Sequence, residues 1–276
     1  MFYHFKKKNN DKDINKFLKN GYLIKKIEDK TRLTAFKFKI AKFILKELGI
    51  KGKAQNTDLL FNNLHKKIKV KNLNNIRLKI FKFLNKDNSF KQELFFIAKN
   101  SIEKIVGNEL AIQRNLNLSI QFPNDSSSIL DAHMDTFSGE SPFQIVLWMP
   151  LVDVYDTKSM FVIPMQESRK ILNNFKKIKK KGLGTAAKKN KKKKFLKVNS
   201  NEFLIFSPNI LHGNTKNKTK ETRISLNIRF KGLFTPYNDI EGNDRKLGYF
   251  YNPLNIKPAS IIGLKFKMPK IDAKKK

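Results

Sequence analysis

The chain has 276 residues, with 58 Lys and Arg against 23 Asp and Glu, for a formal net charge of +35. That length makes one large domain or two small ones, and 40% hydrophobic residues with 24 Phe exclude a disordered polar chain. With no Cys, a disulfide framework, a Cys-ligated zinc site and a cysteine nucleophile are excluded, so any metal must be held by His, Asp and Glu.

In chain order, residues 1–115 read as a helical N-terminal region. The spacing predicts a short helix over Asp11 to Lys19, closed by Gly21 and followed by a strand-like Tyr22-Leu23-Ile24. Leu33, Phe36, Ile40, Phe43, Ile44 and Leu48 form the apolar stripe of an amphipathic helix that Gly49 stops. Further helices are expected over Leu73 to Leu84 and Phe90 to Val106, the latter ending at Gly107.

After Asn115 the pattern changes. Leu116–Phe122, Phe143–Pro150, Met160–Pro164, Glu202–Phe206 and Thr222–Phe230 are short, rich in β-branched or aromatic residues, and separated by Pro, Gly, Asn or Ser. Such strands predict a sandwich or jelly roll over 116–236. The basic segment 166–201 interrupts them as a long connection, and its densest run, Lys176 to Lys194, reads first as a solvated loop. The Gly182-Leu183-Gly184 break makes it a candidate lid. Residues 237–276 are expected to wrap the core and end in a frayed Lys274-Lys275-Lys276.

The charge invites a nucleic-acid partner, but 51 of the 58 cations are Lys and only 7 are Arg, whereas base reading and bidentate phosphate capture favour Arg. No stretch approaches the roughly 18 apolar residues of a membrane span, and the opening MFYHFKKKNNDKDINKF lacks an apolar signal core. A cytoplasmic protein with no membrane partner is expected. The oligomeric state cannot be read.

Four His are present. His4 and His65 sit among lysines and read as surface residues. His133 opens His133-Met134-Asp135, where residues i and i+2 of an extended segment point to one side. His212 ends the run Phe206–Leu211 and supplies a third ligand from a neighbouring strand. Two imidazoles and one carboxylate form the facial triad of non-haem Fe(II) oxygenases. Eleven residues on, Arg223-Ile224-Ser225 places a guanidinium and a hydroxyl on one strand face, a pair suited to a carboxylate. Along that strand Arg223, Ser225, Asn227 and Arg229 alternate with an apolar face. Gln144, Val146 and Trp148 share another face, and Gln121, Asn214 and Arg229 are candidate cavity residues. Asp131, Asp153 and Asp156 lack ligand spacing and read as loop or structural residues.

His133-x-Asp135, His212 and Arg223-x-Ser225 resemble the Fe(II)/2-oxoglutarate-dependent dioxygenases. Over residues 73–236, the segments NLSIQFPND, SPFQIVLWMPLVDVYDTKSMFVIP and LHGNTKNKTKETRISLNIRF are similar to the phytanoyl-CoA-dioxygenase-like branch, and within it to oxygenases of carbohydrate and surface-polysaccharide clusters. The resemblance implies a mainly β protein with a helical N-terminal part: a double-stranded β-helix (jelly roll, cupin-like) flanked by helices. It implies Fe(II) on His133, Asp135 and His212, and 2-oxoglutarate gripped by Arg223 and Ser225, with Gln144 as a further contact. Gln121, Trp148, Asn214 and Arg229 would face substrate. It also implies use of O₂, release of succinate and CO₂, and hydroxylation of a small, sugar-related or anionic metabolite. Retention of Asp135 argues for a hydroxylase, since related halogenases lose that carboxylate. The competing readings are a non-redox cupin-like metal protein and a basic nucleic-acid-binding protein.

Overall fold

A computed structural model describes residues 11–51, 56–178, 182–237 and 244–266. His4 and Lys274 to Lys276 lie outside these residues. The chain opens with α1 (Lys12–Asn20), β1 (Tyr22–Lys26), α2 (Lys30–Glu47), α3 (Thr57–Asn62) and α4 (Leu64–Lys67). Next come α5 (Leu73–Leu84), α6 (Ser89–Ile97), α7 (Lys99–Val106), β2 (Leu110–Gln113) and β3 (Asn117–Gln121). Then follow β4 (Gln144–Pro150), β5 (Phe161–Val162), α8 (Met165–Asn173), α9 (Phe175–Ile178) and α10 (Leu183–Lys189). The last elements are β6 (Lys194–Phe195), β7 (Glu202–Phe206), β8 (His212–Gly213), β9 (Arg223–Gly232), β10 (Tyr251–Leu254) and α11 (Pro258–Lys265).

The strands form a seven-stranded sheet, β1-β7-β4-β9-β2-β10 with β3 also on β9, and a three-stranded sheet, β6-β5-β8. All the ladder pairings in both are antiparallel. Strand β9 is the spine. One side pairs with β4 from Gln144↔Lys231 to Pro150↔Ser225; the other pairs with β3 at its start and β2 at its end. Its alternation makes the fold's two environments. Ile224, Leu226, Ile228 and Phe230 are buried in the apolar core that includes the helices, with Phe230 against Phe95 of α6. Burying each such side chain contributes about 1.5–3 kcal/mol. Arg223, Ser225, Asn227 and Arg229 lie on the opposite, cavity-lining face.

Four expectations are corrected. The helix predicted over 90–106 is two helices, because Ala98 leaves helical geometry. There Glu28 accepts hydrogen bonds from the Asn100 and Ser101 N–H groups and the Ser101 hydroxyl, capping α7 from across the fold. Residues 1–115 are not only helical: besides the expected strand at Tyr22, now β1, strand β2 belongs to the large sheet. Likewise the segment after 237 supplies β10, paired with β2.

The fourth concerns the basic segment 166–201. It is largely helical, not a solvated loop. Ile171, Leu183 and Ala187 pack with Phe161, Ile163, Leu211 and Met134 in a separate small core. Most of its described lysines are exposed.

Candidate functional site

His133 and His212 are brought together by main chain. His133 N–H donates to the His212 carbonyl at 2.9 Å, and His212 N–H returns the bond to the His133 carbonyl at 3.0 Å. Their rings lie 4.3 Å apart. Met134 is extended (φ −114°, ψ 132°) before a short 3₁₀ turn begins at Asp135, so Asp135 returns to the side occupied by His133. The carboxylate Oδ1 is 3.4 Å from His133 Nε2 and 3.5 Å from His212 Nε2. Ligand atoms of all three residues fall within 4.8 Å of one another.

The donor set fits a metal. His133 Nδ1 is 2.7 Å from the Asp131 carbonyl and His212 Nδ1 is 3.0 Å from the Ile210 carbonyl. Carbonyls only accept, so each Nδ1 carries the proton and each Nε2 presents its lone pair. Burial pushes His212 down to about 4, keeping it neutral. Burial also opposes charge on His133, but its hydrogen bonds to Asp135 and the Asp131 carbonyl outweigh this and raise its pKa. Burial alone would push the Asp135 carboxyl up; His133, His212 and Arg229 overcome it and hold Asp135 well below the usual carboxylate range. The site therefore offers two imidazole nitrogens, that of His212 held neutral, and one anionic oxygen.

These residues line a cavity of about 460 Å³ that also contains Arg223, Ser225, Asn227, Trp148 and Asn214. Arg223 is 3% exposed. Its Nη2 donates to Ser119 Oγ at 2.9 Å, while its Nε and the Ser225 hydroxyl are buried without a hydrogen-bonding partner. Burial, with Arg77 nearby, pulls the guanidinium down to about 10. Among the described residues no carboxylate lies within ion-pair distance of it. A buried cation beside an unused hydroxyl is costly unless an anion completes it. The cavity has such a position.

The other predicted residues separate. Trp148 lines the cavity at 6% exposure. Asn214 also lines it, but both ends of its amide are engaged by the main chain of Leu130 and Ser128. Gln121, expected to face substrate, is outside the cavity lining; it stands opposite Arg223 in register and donates to the Thr215 carbonyl, and its Oε1 is buried without a partner. Gln144, expected to contact cosubstrate, is outside the cavity lining. It bonds Glu140 and the Tyr251 hydroxyl at the end of β4 beside Lys231. Arg229, expected to face substrate, lines the cavity, with its Nη2 bound to Asp135 at 2.8 Å. No described residue of 166–201, the candidate lid, lines the cavity. His65 is half-buried against Thr222, away from the triad.

Sequence reasoning missed Arg77, Asn117 and Ser119 in the lining. Arg77 reaches over from α5 to the Ile120 carbonyl at 2.6 Å and lies 3.8 Å from Asp125. The alternation Asn117, Ser119, Gln121 was the available signal for β3, because it repeats the polar face seen on β9.

No family model matches the chain, and no curated protein matches it. Solved structures do. ThoJ, described as a non-haem monooxygenase in a nickel complex, matches at 12% identity and a TM-score of 0.50, over 81% of this chain and 78% of its own. The fold is similar to that of ThoJ. HygX from Streptomyces hygroscopicus, crystallised with nickel and 2-oxoglutarate bound, matches at 11% identity and a TM-score of 0.50, over 87% and 96%. EvdMO1 matches at a TM-score of 0.52 and 11% identity over 79% of this chain, which spans about half (49%) of that protein. At these identities the likeness is one of fold. No helix of the described residues is long and apolar enough to cross a membrane.

Proposed function

We propose that this chain is an Fe(II)- and 2-oxoglutarate-dependent dioxygenase that hydroxylates a small molecule, built on a double-stranded β-helix. The carrying observation is one cavity holding both the His133–Asp135–His212 set and the partnerless Arg223 Nε and Ser225 Oγ. Fe(II) with 2-oxoglutarate and O₂ supplies oxidative decarboxylation of the cosubstrate coupled to C–H oxidation.

The chain's own residues do the rest. His133 Nε2, Asp135 Oδ1 and His212 Nε2 are the metal ligands, oriented by the carbonyls of Asp131 and Ile210. Arg223 forks onto the distal carboxylate of 2-oxoglutarate, with a further bond from the Ser225 hydroxyl. The apolar Val146, Met160 and Phe206 in the lining restrict water around the reacting atoms. The crystallisation of HygX with 2-oxoglutarate and nickel supports this choice of cosubstrate. A cavity of about 460 Å³ is of the size that small ligands fill.

The narrower reading, a phytanoyl-CoA-dioxygenase-like enzyme with a sugar-related or anionic substrate, rests on the sequence segments alone. Hydroxylation, rather than halogenation, rests on Asp135. The test is anaerobic titration with Fe(II) and 2-oxoglutarate for a visible charge-transfer band, then O₂ addition with succinate quantified. Metal binding without succinate would favour a non-redox cupin-like protein; neither metal nor 2-oxoglutarate binding would overturn the proposal.

A further inference from the structure

Asp135 has two oxygens with different occupations. Oδ1 faces both imidazole Nε2 atoms; Oδ2 accepts from Arg229 Nη2 at 2.8 Å. The Arg229 fork is itself held, since Nη1 donates to Gln113 Oε1 at 3.1 Å and Nε forms an ion pair, without a hydrogen bond, with Glu140 Oε1 at 3.4 Å. Glu140, 2% exposed, is held in turn by Arg245 Nε at 2.8 Å, the Tyr251 hydroxyl at 3.1 Å and Gln144 Nε2 at 3.1 Å. Asp135, Arg229, Glu140 and Arg245 thus form a chain of alternating charge running from the metal-ligand cluster to the C-terminal segment.

We infer that Arg229, oriented by Glu140, is a positioning residue that holds Asp135 as a one-oxygen ligand. This rests on the metal-centre reading above. A carboxylate with both oxygens free can take a metal in bidentate fashion and occupy two positions. With Oδ2 committed to Arg229, Asp135 supplies one donor. Three protein donors then leave three positions of an octahedral ion for a chelating cosubstrate and one further ligand. The two arginines on this face of β9 are thereby divided in role. Arg223 has no carboxylate among the described residues and receives one from outside; Arg229 is consumed by carboxylates of the protein. The same chain of contacts makes the C-terminal segment part of the site's support, through Arg245 and Tyr251.

The test uses the full-length protein with Co(II), read by calorimetry and by visible absorption, whose intensity reports coordination number. Arg229→Lys keeps the charge and removes the fork, Arg229→Met removes both, and Glu140→Gln perturbs only the orienting group. Arg229→Lys and Arg229→Met are expected to weaken Co(II) binding about 10–100-fold. Their spectra should shift toward higher coordination, with a smaller change on adding 2-oxoglutarate. Glu140→Gln should move both readouts in the same direction by less, and it keeps the test open should the Arg229 variants fold poorly. Wild-type affinity and spectrum in Glu140→Gln and in folded Arg229→Lys would overturn the inference while leaving the metal site standing. Tighter Co(II) binding in Arg229→Met would overturn it too. Absence of Co(II) binding by the wild type would instead overturn the reading of the site as a metal centre.

Discussion

His133 and His212 exchange a reciprocal pair of main-chain hydrogen bonds, 2.9 and 3.0 Å long, across an isolated antiparallel bridge. The juxtaposition of these two positions is therefore set by backbone and does not depend on either side chain. His212→Ala and His133→Ala should each abolish Fe(II) binding while keeping a cooperative thermal transition. Calorimetric titration checks the metal, and circular dichroism melting checks the fold. Full iron occupancy in His212→Ala would remove it from the ligand set.

Arg223 and Arg229 occupy the same face of β9 but should respond differently to truncation. A charge-assisted contact contributes about 1.5–3 kcal/mol, so Arg223→Leu should weaken 2-oxoglutarate binding roughly 10–150-fold. Iron affinity in that variant should hardly move. Equilibrium titration of 2-oxoglutarate into the Fe(II) protein under anaerobic conditions decides it. The reverse pattern would exchange the roles of the two arginines.

Gly213 has no room for a side chain. A Cβ there would lie 2.9 Å from the Leu130 carbonyl oxygen and 3.1 Å from that of Asp131, in the segment that leads into His133. Gly213→Ala should cost about 1–3 kcal/mol of stability through overpacking and should also lower metal affinity, by parting His212 from His133. Denaturant titration and metal binding measured on the same samples would separate a local from a global effect. Unchanged metal binding would show that the bridge accommodates the methyl group.

The basic insertion should be structural. Neutralising Lys191 to Lys194 should leave KM for substrate unchanged from low to high ionic strength, because none of the segment's described residues lines the cavity. Leu183→Ala, in its small core, should cost about 2–5 kcal/mol. A salt-dependent rise in KM on neutralisation would return the segment to the role of a lid.

Lys231 gives a pH signature. Fully buried, it donates to the Thr235 carbonyl at 2.6 Å and sits 3.5 Å above the Tyr237 ring. Burial pushes it down to about 8. Between that value and an unfolded pKa near 10.4, the unfolded chain binds more protons than the folded one, so this group's contribution to stability rises with pH. Relative to Lys231→Met, the wild type should gain about 1–3 kcal/mol between pH 7.5 and 10. Guanidinium midpoints of both proteins across that range provide the measurement. A constant difference would place Lys231 at an ordinary pKa.

Local patterns in the sequence determined much of this protein. The apolar stripe from Leu33 to Leu48 marks α2, and Ile76, Ile80 and Leu84 mark α5, because a 3.6-residue period reports a buried face without knowledge of what covers it. The alternation from Thr222 to Phe230 likewise identifies β9 and its two faces. His133-x-Asp135 was legible because extended backbone alone brings i and i+2 to one side. Contacts between distant residues were not legible. Glu28 divides one predicted helix into two by capping α7, and Ile171, Leu183 and Ala187 make helices of a lysine-rich run by giving them a core. Whether an arginine on β9 is free or spent depends on which carboxylates the fold delivers to it. Arg223 and Arg229 are equivalent in the strand's alternation and both line the cavity, and only the tertiary structure sets Asp135 and Glu140 beside the second and leaves the first without a carboxylate among the described residues.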